Sequence, residues 1–72
     1  MEYGEKINLL AEMLEIDVDD IDGSTLLSDL EEWDSLAALS FVALVDEYFG
    51  KAVTGNQIRA CSTIDDLVVL MN

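Results

Sequence analysis

The sequence predicts an all-α fold: a small helical bundle of three principal helices plus one short helix, with a long loop between the first two. Three observations predict it. Apolar residues recur at helical spacing near the start of the 72-residue chain, an apolar run fills its middle, and a threonine followed three residues later by a carboxylate precedes its last apolar stretch. Half of the residues are apolar and none is proline. We therefore expect residues 1–72 to form a single packed domain rather than a disordered segment.

The first helix is predicted over residues 4–16. Ile7, Leu10 and Leu14 stand at positions i, i+3 and i+7, which one face of an α-helix brings together. The glutamates of this segment lie largely off that stripe. The spacing indicates an amphipathic helix whose apolar side faces the core.

Residues 17–34 are predicted to form a loop, because Asp, Gly and Ser cluster there and no regular period lasts for more than one turn. A loop of this length in a small domain is unusual and is often functional. Leu26, Leu27 and Leu30 are expected to attach it to the core.

The start of this loop contains an acidic run that suggests a calcium site: Asp17, Asp19, Asp20, Asp22 and Gly23. The register argues against an EF-hand. With Gly23 at the invariant sixth position, Val18 takes the first ligand position, and Asp29 takes the twelfth, where a bidentate glutamate is normal. We therefore predict no specific metal site, although weak cation association would relieve the self-repulsion of the chain.

The second helix is predicted over residues 35–49. Ser35 is a favoured N-cap residue type, and Gly50 supplies a stop signal. Among the ten residues from Leu36 onward only Ser40 is polar, so this helix is apolar nearly all round. Such a helix is either a central core helix or one that packs inward on one face and receives partners on another.

Two further helices are predicted near the end of the chain. Residues 54–61 indicate a short, weak helix anchored by Ile58. Thr63 is a capping residue with Asp66 three positions later, a shorter variant of the capping box, and acidic residues here favour the positive end of the helix. The predicted inward stripe of this closing helix consists of Ile64, Leu67 and Leu70 or Met71.

Composition limits the partners and the compartment. Sixteen carboxylates against three basic side chains give a formal net charge of −13, which argues against nucleic acid or an anionic membrane as partner and favours enzymes with basic or apolar patches. No transmembrane run or signal peptide is recognisable, so we expect no membrane insertion and a reducing cytoplasm as the compartment. We also expect the protein to be a monomer. The single Cys61 excludes an internal disulfide and is expected to be a small core residue.

The most informative segment is residues 33–37, Trp-Asp-Ser-Leu-Ala, which puts one serine hydroxyl between an acidic loop and an apolar helix. A nucleophilic serine needs a neighbouring base, usually histidine or lysine. The chain has no histidine and only two lysines, Lys6 and Lys51. We therefore interpret Ser35 as an attachment point that another enzyme modifies, and we predict no catalytic residue.

From Asp34-Ser35-Leu36 onward the chain resembles the acyl carrier protein family. In that family the serine of the triplet carries a 4'-phosphopantetheine arm, whose terminal thiol holds acyl or aminoacyl groups as thioesters. The tripeptide is common by itself, but here it opens an apolar helix in a short acidic chain, and the resemblance extends over essentially the whole chain. It implies that a phosphopantetheinyl transferase attaches the arm of CoA to Ser35, next to the positively polarised amides of the helix start.

The resemblance also implies which residues partner enzymes read. Carried over by position, they are Asp34, Leu36, Asp46 and Glu47. The chain departs from the fatty-acid-synthesis pattern, because Trp33 stands where a small residue is common and Ala37 and Ser40 occupy two typically acidic positions. Ala37 and Ser40 are therefore also expected in the docking surface, which is more apolar than usual and looks more like that of stand-alone carriers of specialised pathways.

Two classes of function remain open at this point. One is a covalent carrier that shuttles acyl intermediates between enzymes of a lipid, polyketide or other specialised pathway, with a peptidyl or aminoacyl carrier as a variant. The other is a noncovalent acidic helical adaptor that binds a basic partner or metal ions. The residues do not specify the cargo, since the enzymes that load a carrier choose it.

Overall fold

The computed structural model describes all 72 residues and confirms the all-α fold. Its four α-helices are α1 (Tyr3–Leu14), α2 (Ser35–Phe49), α3 (Gly55–Arg59) and α4 (Ile64–Leu70). Two single turns of 3-10 helix, Val18–Asp20 and Leu27–Asp29, lie in the connection between α1 and α2. The structure has no β-strand. None of its helices has the length and apolar character needed to cross a membrane.

Helix α1 is the predicted amphipathic helix. Its three predicted core residues, Ile7, Leu10 and Leu14, are all buried. The helix ends two residues earlier than predicted, because Glu15 adopts a left-handed conformation with φ of 59°. Its backbone N–H then bonds to carbonyls of the last helical turn, which closes the helix.

The connection between α1 and α2 is attached to the core in a different way from the prediction. Leu27 is buried and Leu30 is half-buried, as expected, but Leu26 is 46% exposed. Backbone pairing explains the difference, because Leu26 forms an antiparallel bridge with Thr63 and the Leu27 N–H donates to the Ser62 carbonyl at 2.9 Å. The loop is thus attached partly through its main chain, and this left Leu26 outside the core.

Gly23 lies where this loop approaches the starts of α1 and α4. The Tyr3 hydroxyl donates to the Asp65 carboxylate beside it, and a Cβ at position 23 would overlap both groups. This hydrogen bond raises the pKa of Tyr3. The starts of α1 and α4 therefore meet at the loop, and a larger residue at position 23 would have to displace the Tyr3 and Asp65 side chains.

Helix α2 has the predicted bounds, and Gly50 ends it with a φ of 64°. The predicted N-cap is wrong by one residue. The Asp34 carboxylate accepts a hydrogen bond from the Ala37 N–H at 2.9 Å, so Asp34 is the N-cap and Ser35 is the first helical residue. Asp and Ser are both good caps, and local geometry selected the first of the pair.

The burial pattern of α2 decides between the two interpretations of its apolar sequence. Only Phe41 and Val45 are buried, whereas Leu36 and Leu39 are 72% and 67% exposed. The helix therefore packs inward along a narrow stripe and is not a central core helix. Leu44 and Phe49 are half-buried against the core, and the most exposed apolar side chains of the helix remain at the surface.

Helices α3 and α4 begin with capping boxes. Thr54 pairs with Gln57 at the start of α3, and Thr63 pairs with Asp66 at the start of α4, as predicted for the second pair. The inward stripe consists of Ile64 and Leu67 in α4 and of Met71 directly after it, all fully buried. Met71 rather than Leu70 completes it.

The core is a cluster of eleven buried side chains contributed by α1, the connection, α2, α4 and the residue after α4. Ile58 and Cys61 pack against this cluster from the α3 segment but are only half-buried. The prediction that Cys61 is a core residue therefore holds in part. Partial burial, with a smaller effect from Asp66, raises the pKa of its thiol.

Candidate functional site

Ser35 stands at the exposed start of α2. Because the Asp34 carboxylate caps the helix, the Ser35 hydroxyl is not used as the cap acceptor. The chain approaches α2 through Trp33, whose ring contacts the Phe41 ring edge-on with centroids 6.3 Å apart. The half-buried tryptophan thus anchors the segment that presents the serine.

A groove begins at Ser35 and runs between α2 and α3. We call it the α2–α3 groove; it has a volume of about 490 Å³. Its remaining lining consists of Ala38, Leu39, Val42, Gly55, Ile58 and Arg59. Four of these side chains are apolar, and no carboxylate is among them. An acidic protein therefore places its attachment candidate beside a groove that lacks acidic groups.

Arg59 is the only charged side chain in the α2–α3 groove. It donates to the Asn56 side chain, and its guanidinium lies across the exposed side of Gly55, 3.4 Å from where a Cβ would be. The two lysines lie elsewhere: Lys6 donates to Asn72, and Lys51 follows the end of α2. Arg59 is thus the one cation close to Ser35.

A second groove follows the opposite flank of α2, toward α1. Its first part, about 260 Å³ in volume, lies at the start of α2, and its second part, about 410 Å³, lies farther along the helix. Both parts are lined by Met13 and Ser40, so they are adjacent, and we call them together the α1–α2 groove. Five carboxylates and no basic side chain line it: Glu12, Glu15, Glu32, Asp34 and Glu47.

The structure brings most of the predicted docking residues together on one flank. Asp34, Leu36, Ala37 and Ser40 line the first part of the α1–α2 groove, and Ser40 and Glu47 line the second part. Asp46 lines neither groove, although it is exposed. Sequence reasoning did not find Arg59 of the α2–α3 groove or Leu9, Glu12 and Met13, which α1 contributes to the other groove. The scarcity of basic residues was a signal that could have pointed to Arg59.

The acidic run of the loop does not converge on a point. No group of three or more acidic, His or Cys side chains in the structure is arranged to hold a metal ion. Asp17 accepts from the Asp19 N–H at 2.9 Å, and Asp22 accepts from the Ser24 N–H at 2.8 Å and from the Ser24 hydroxyl at 2.7 Å. The bonds from Ser24 lower the pKa of Asp22. Both carboxylates organise local turns of the loop.

A family model described as a phosphopantetheine attachment site matches residues 7–70. The chain belongs to this family of phosphopantetheine-binding carriers. No curated protein and no solved structure matches it. The protein is therefore a phosphopantetheine carrier, a class whose prosthetic group is 4'-phosphopantetheine.

The geometry around Ser35 suits this prosthetic group. The hydroxyl is exposed and is not used as a cap, and the adjoining α2–α3 groove offers an apolar wall together with one guanidinium. The start of α2 and Arg59 are both favourable surroundings for a phosphodiester, and apolar walls suit an aliphatic chain. When bound, the group supplies a terminal thiol that holds cargo as a thioester.

Proposed function

We propose that this carrier is an acyl carrier protein whose arm is attached to Ser35. The observation that carries the proposal is the exposed hydroxyl at the first position of α2, which the Asp34 cap leaves available and which adjoins the α2–α3 groove. The family match supports the carrier class. The carrier would present acyl intermediates to enzymes of a lipid, polyketide or other specialised pathway.

In this proposal the chain has no catalytic role of its own. Lys6 is buried against Asn72, and Lys51 lies beyond the far end of α2, so neither lysine stands beside Ser35 as a base. A phosphopantetheinyl transferase would activate the serine and supply the arm from CoA in the presence of Mg²⁺. The carrier then acts by tethering, which raises the effective concentration of its cargo at each enzyme that docks.

The lining of the α2–α3 groove favours an acyl cargo over an aminoacyl one. Leu39 and Val42 offer aliphatic surface to a chain that folds back from Ser35. An aminoacyl thioester carries an ammonium group, which the Arg59 guanidinium would repel.

The proposed docking surface consists of residues that flank the serine or follow it along α2: Asp34, Leu36, Ala37, Ser40, Asp46 and Glu47. In the fatty-acid-synthesis pattern, acidic side chains at the positions of Ala37 and Ser40 meet arginines and lysines of the synthase enzymes. Ala37 and Ser40 supply no such charge. We therefore propose that the carrier is a poor substrate for fatty acid synthase enzymes and serves a specialised pathway.

Incubation with CoA, Mg²⁺ and a promiscuous phosphopantetheinyl transferase tests the attachment. Intact-mass spectrometry should show the gain of one phosphopantetheine group, and peptide mapping should assign it to Ser35. A reaction without CoA is the control. An unmodified chain, or an arm on another residue, would overturn the proposal and favour a noncovalent adaptor.

The cargo is tested separately on protein purified from its native source. Hydroxylamine releases thioester-bound groups as hydroxamates, which mass spectrometry identifies. An acyl hydroxamate is the expected product. An aminoacyl hydroxamate would overturn the acyl assignment and leave the attachment at Ser35 intact.

A further inference from the structure

We infer that Arg59 is a positioning residue for the prosthetic group: its guanidinium pairs with the phosphodiester on Ser35 and directs the arm toward α3. The inference rests on the proposed function, because it requires the arm to be attached to Ser35. It goes further by naming the side chain of this protein that sets the direction in which the arm leaves α2.

The position of the anion in the arm is fixed by covalent geometry. A phosphodiester formed on the Ser35 hydroxyl is bonded directly to that oxygen and carries a negative charge at neutral pH. Ser35 is the first residue of α2 and lines the α2–α3 groove. The charge is therefore confined to the mouth of this groove, whereas the thiol at the other end of the arm is free to move.

Arg59 is a cation without an anionic partner in a strongly acidic protein. The chain has sixteen carboxylates, yet none of them lines the α2–α3 groove. The guanidinium donates from Nη2 to the neutral side-chain amide of Asn56. Its other N–H groups remain as donors, and a guanidinium matches the geometry of phosphate oxygens. The arm would thus supply the anion that the surrounding protein lacks.

The Arg59 side chain lies along the wall of the groove. It folds back over the start of α3, where Nη1 is 3.4 Å from the place that a Cβ of Gly55 would occupy. Gly55 and Arg59 both line the groove that begins at Ser35. The bond from Arg59 to Asn56 is exposed and has a neutral acceptor. A charged acceptor forms the stronger hydrogen bond, so pairing with the phosphodiester is favoured over this contact.

The charges on the other side of Ser35 act in the same direction. Glu32 and Asp34 line the start of the α1–α2 groove, and the Asp34 carboxylate is held in place by its bond from the Ala37 N–H. Carboxylates repel the phosphodiester, and the guanidinium attracts it. The arm therefore leaves Ser35 toward α3, away from the acidic flank of α2.

The test uses the ¹⁵N-labelled carrier modified with CoA whose sulfur carries a nitroxide. The nitroxide broadens the amide signals of residues that the arm visits. Broadening should be strong at Gly55 and Ile58 and weak at Glu12 and Met13, and the ratio between the two flanks measures the direction of the arm. In 1 M NaCl, where the Debye length is about 3 Å, this ratio should fall.

The deciding variant is Arg59→Gln, which removes the charge. It should lower the ratio by about two- to fivefold, the range for an exposed charge pair. It should also shift the ³¹P signal of the phosphodiester. Lys51→Gln makes the same change in net charge beyond the end of α2 and should leave both measurements unchanged.

Two further variants separate pairing with the arm from a structural role of Arg59 in α3. Asn56→Ala removes the hydrogen-bond partner of Arg59 but keeps the guanidinium, so the ratio should stay or rise. Arg59→Lys keeps the charge without the planar donors and should retain part of the bias. A merely structural role predicts the same loss in Asn56→Ala as in Arg59→Gln.

Three results would overturn the inference: an unchanged ratio in Arg59→Gln, an equal change in Lys51→Gln, or an equal loss in Asn56→Ala. Each is measured on protein whose arm has already been located on Ser35 by peptide mapping. Failure of the proposed function would appear earlier, as a chain that gains no arm or gains it on another residue.

Discussion

The two flanks of α2 differ in charge, although one nearly uniform apolar helix forms a wall of both. The α2–α3 groove contains one cation and no carboxylate, whereas the α1–α2 groove contains five carboxylates and no cation. Most of that difference comes from the elements packed beside α2. Arg59 comes from α3, and Glu12 and Glu15 come from α1 or its end. A helix that is apolar nearly all round can thus form two grooves of opposite charge.

Helical geometry keeps the two flanks apart. Ser35, Ala38 and Val42 recur at i, i+3 and i+7 along one flank, and Ala37, Ser40 and Leu44 recur at the same spacing along the other. Two serines of one helix therefore lie in different grooves, only five residues apart. This pair gives the sharpest test of the comparison.

The largest expected effect is that of Ser35→Ala, which should abolish attachment of the arm. Stability should change by less than about 0.5 kcal/mol, because the side chain is exposed and is not the N-cap. Ser40→Ala on the opposite flank is the matched control and should be modified as the wild type is. Intact-mass spectrometry and circular dichroism check both variants. Modification of Ser24, Ser28, Ser40 or Ser62 in the Ser35→Ala variant would contradict the assignment.

The next effect concerns the choice of partner on the α1–α2 flank. The double variant Ala37→Asp, Ser40→Glu should raise the second-order rate with fatty acid synthase enzymes by about tenfold at low salt, because added carboxylates steer basic partners. It should also weaken docking to the cognate enzyme. Ala52→Asp with Ala60→Asp adds the same charge away from both grooves and controls for net charge. Steady-state kinetics of the modified proteins measure the change.

The unmutated carrier provides a separate test of the specialised-pathway proposal. If it already supports fatty acid elongation at the rate of a housekeeping carrier, the specialised-pathway proposal is wrong. The absence of charge at Ala37 and Ser40 would then have no consequence for partner choice.

A smaller effect is expected at the point where both grooves begin. Asp34→Ala removes the cap of α2 and should lower stability by about 1 kcal/mol, which corresponds to roughly 4–8 °C in melting temperature for a domain of this size. Asp46→Ala removes a carboxylate from the same helix without removing a cap and should change stability far less. Urea and thermal unfolding measure both. Equal losses of stability in the two variants would mean that the cap bond from the Ala37 N–H to Asp34, 2.9 Å long, contributes nothing to stability.

Salt should act mainly through the acidic flank and the loop. The net charge of −13 repels itself, and at physiological ionic strength the Debye length is about 8 Å, so added salt screens that repulsion. NaCl or Mg²⁺ should therefore raise the melting temperature. A melting temperature that responds to neither would show that the carboxylates of the α1–α2 groove are compensated within the protein.

The smallest effect lies outside both flanks and concerns the stability of the protein at acidic pH. Hydrogen bonds from the Ser62 and Thr63 N–H groups lower the pKa of Asp66 below its ordinary value of 3.8. Because the pKa is lowered in the folded state, the contribution of Asp66 to stability is fully present above the ordinary value and is lost as the pH falls from there through the lowered pKa. Asp66→Asn should therefore lose less stability than the wild type between about pH 4 and pH 2. Thermal melts across this range test it, and parallel curves for the two proteins would contradict it.

Short-range signals in the sequence determined the local structure and pointed to the candidate attachment serine. The period of Ile7, Leu10 and Leu14 predicted α1, and Gly50 predicted the end of α2. The Asp-Ser-Leu triplet identified Ser35 as the candidate, and the family match supports the carrier class. These signals work because caps, stops and helical periods depend on residues within a few positions of one another.

Only the tertiary structure decided which residues share a groove with Ser35 and which share one with Ala37. Arg59 reaches the first groove across 24 positions of sequence, and Glu12 reaches the second across 25, so no local period links them to α2. The exposure of Leu26 was likewise decided at long range, by its backbone bridge to Thr63. A sequence period specifies the face of a helix on which a residue lies, but the neighbour of that face depends on long-range packing of the whole core.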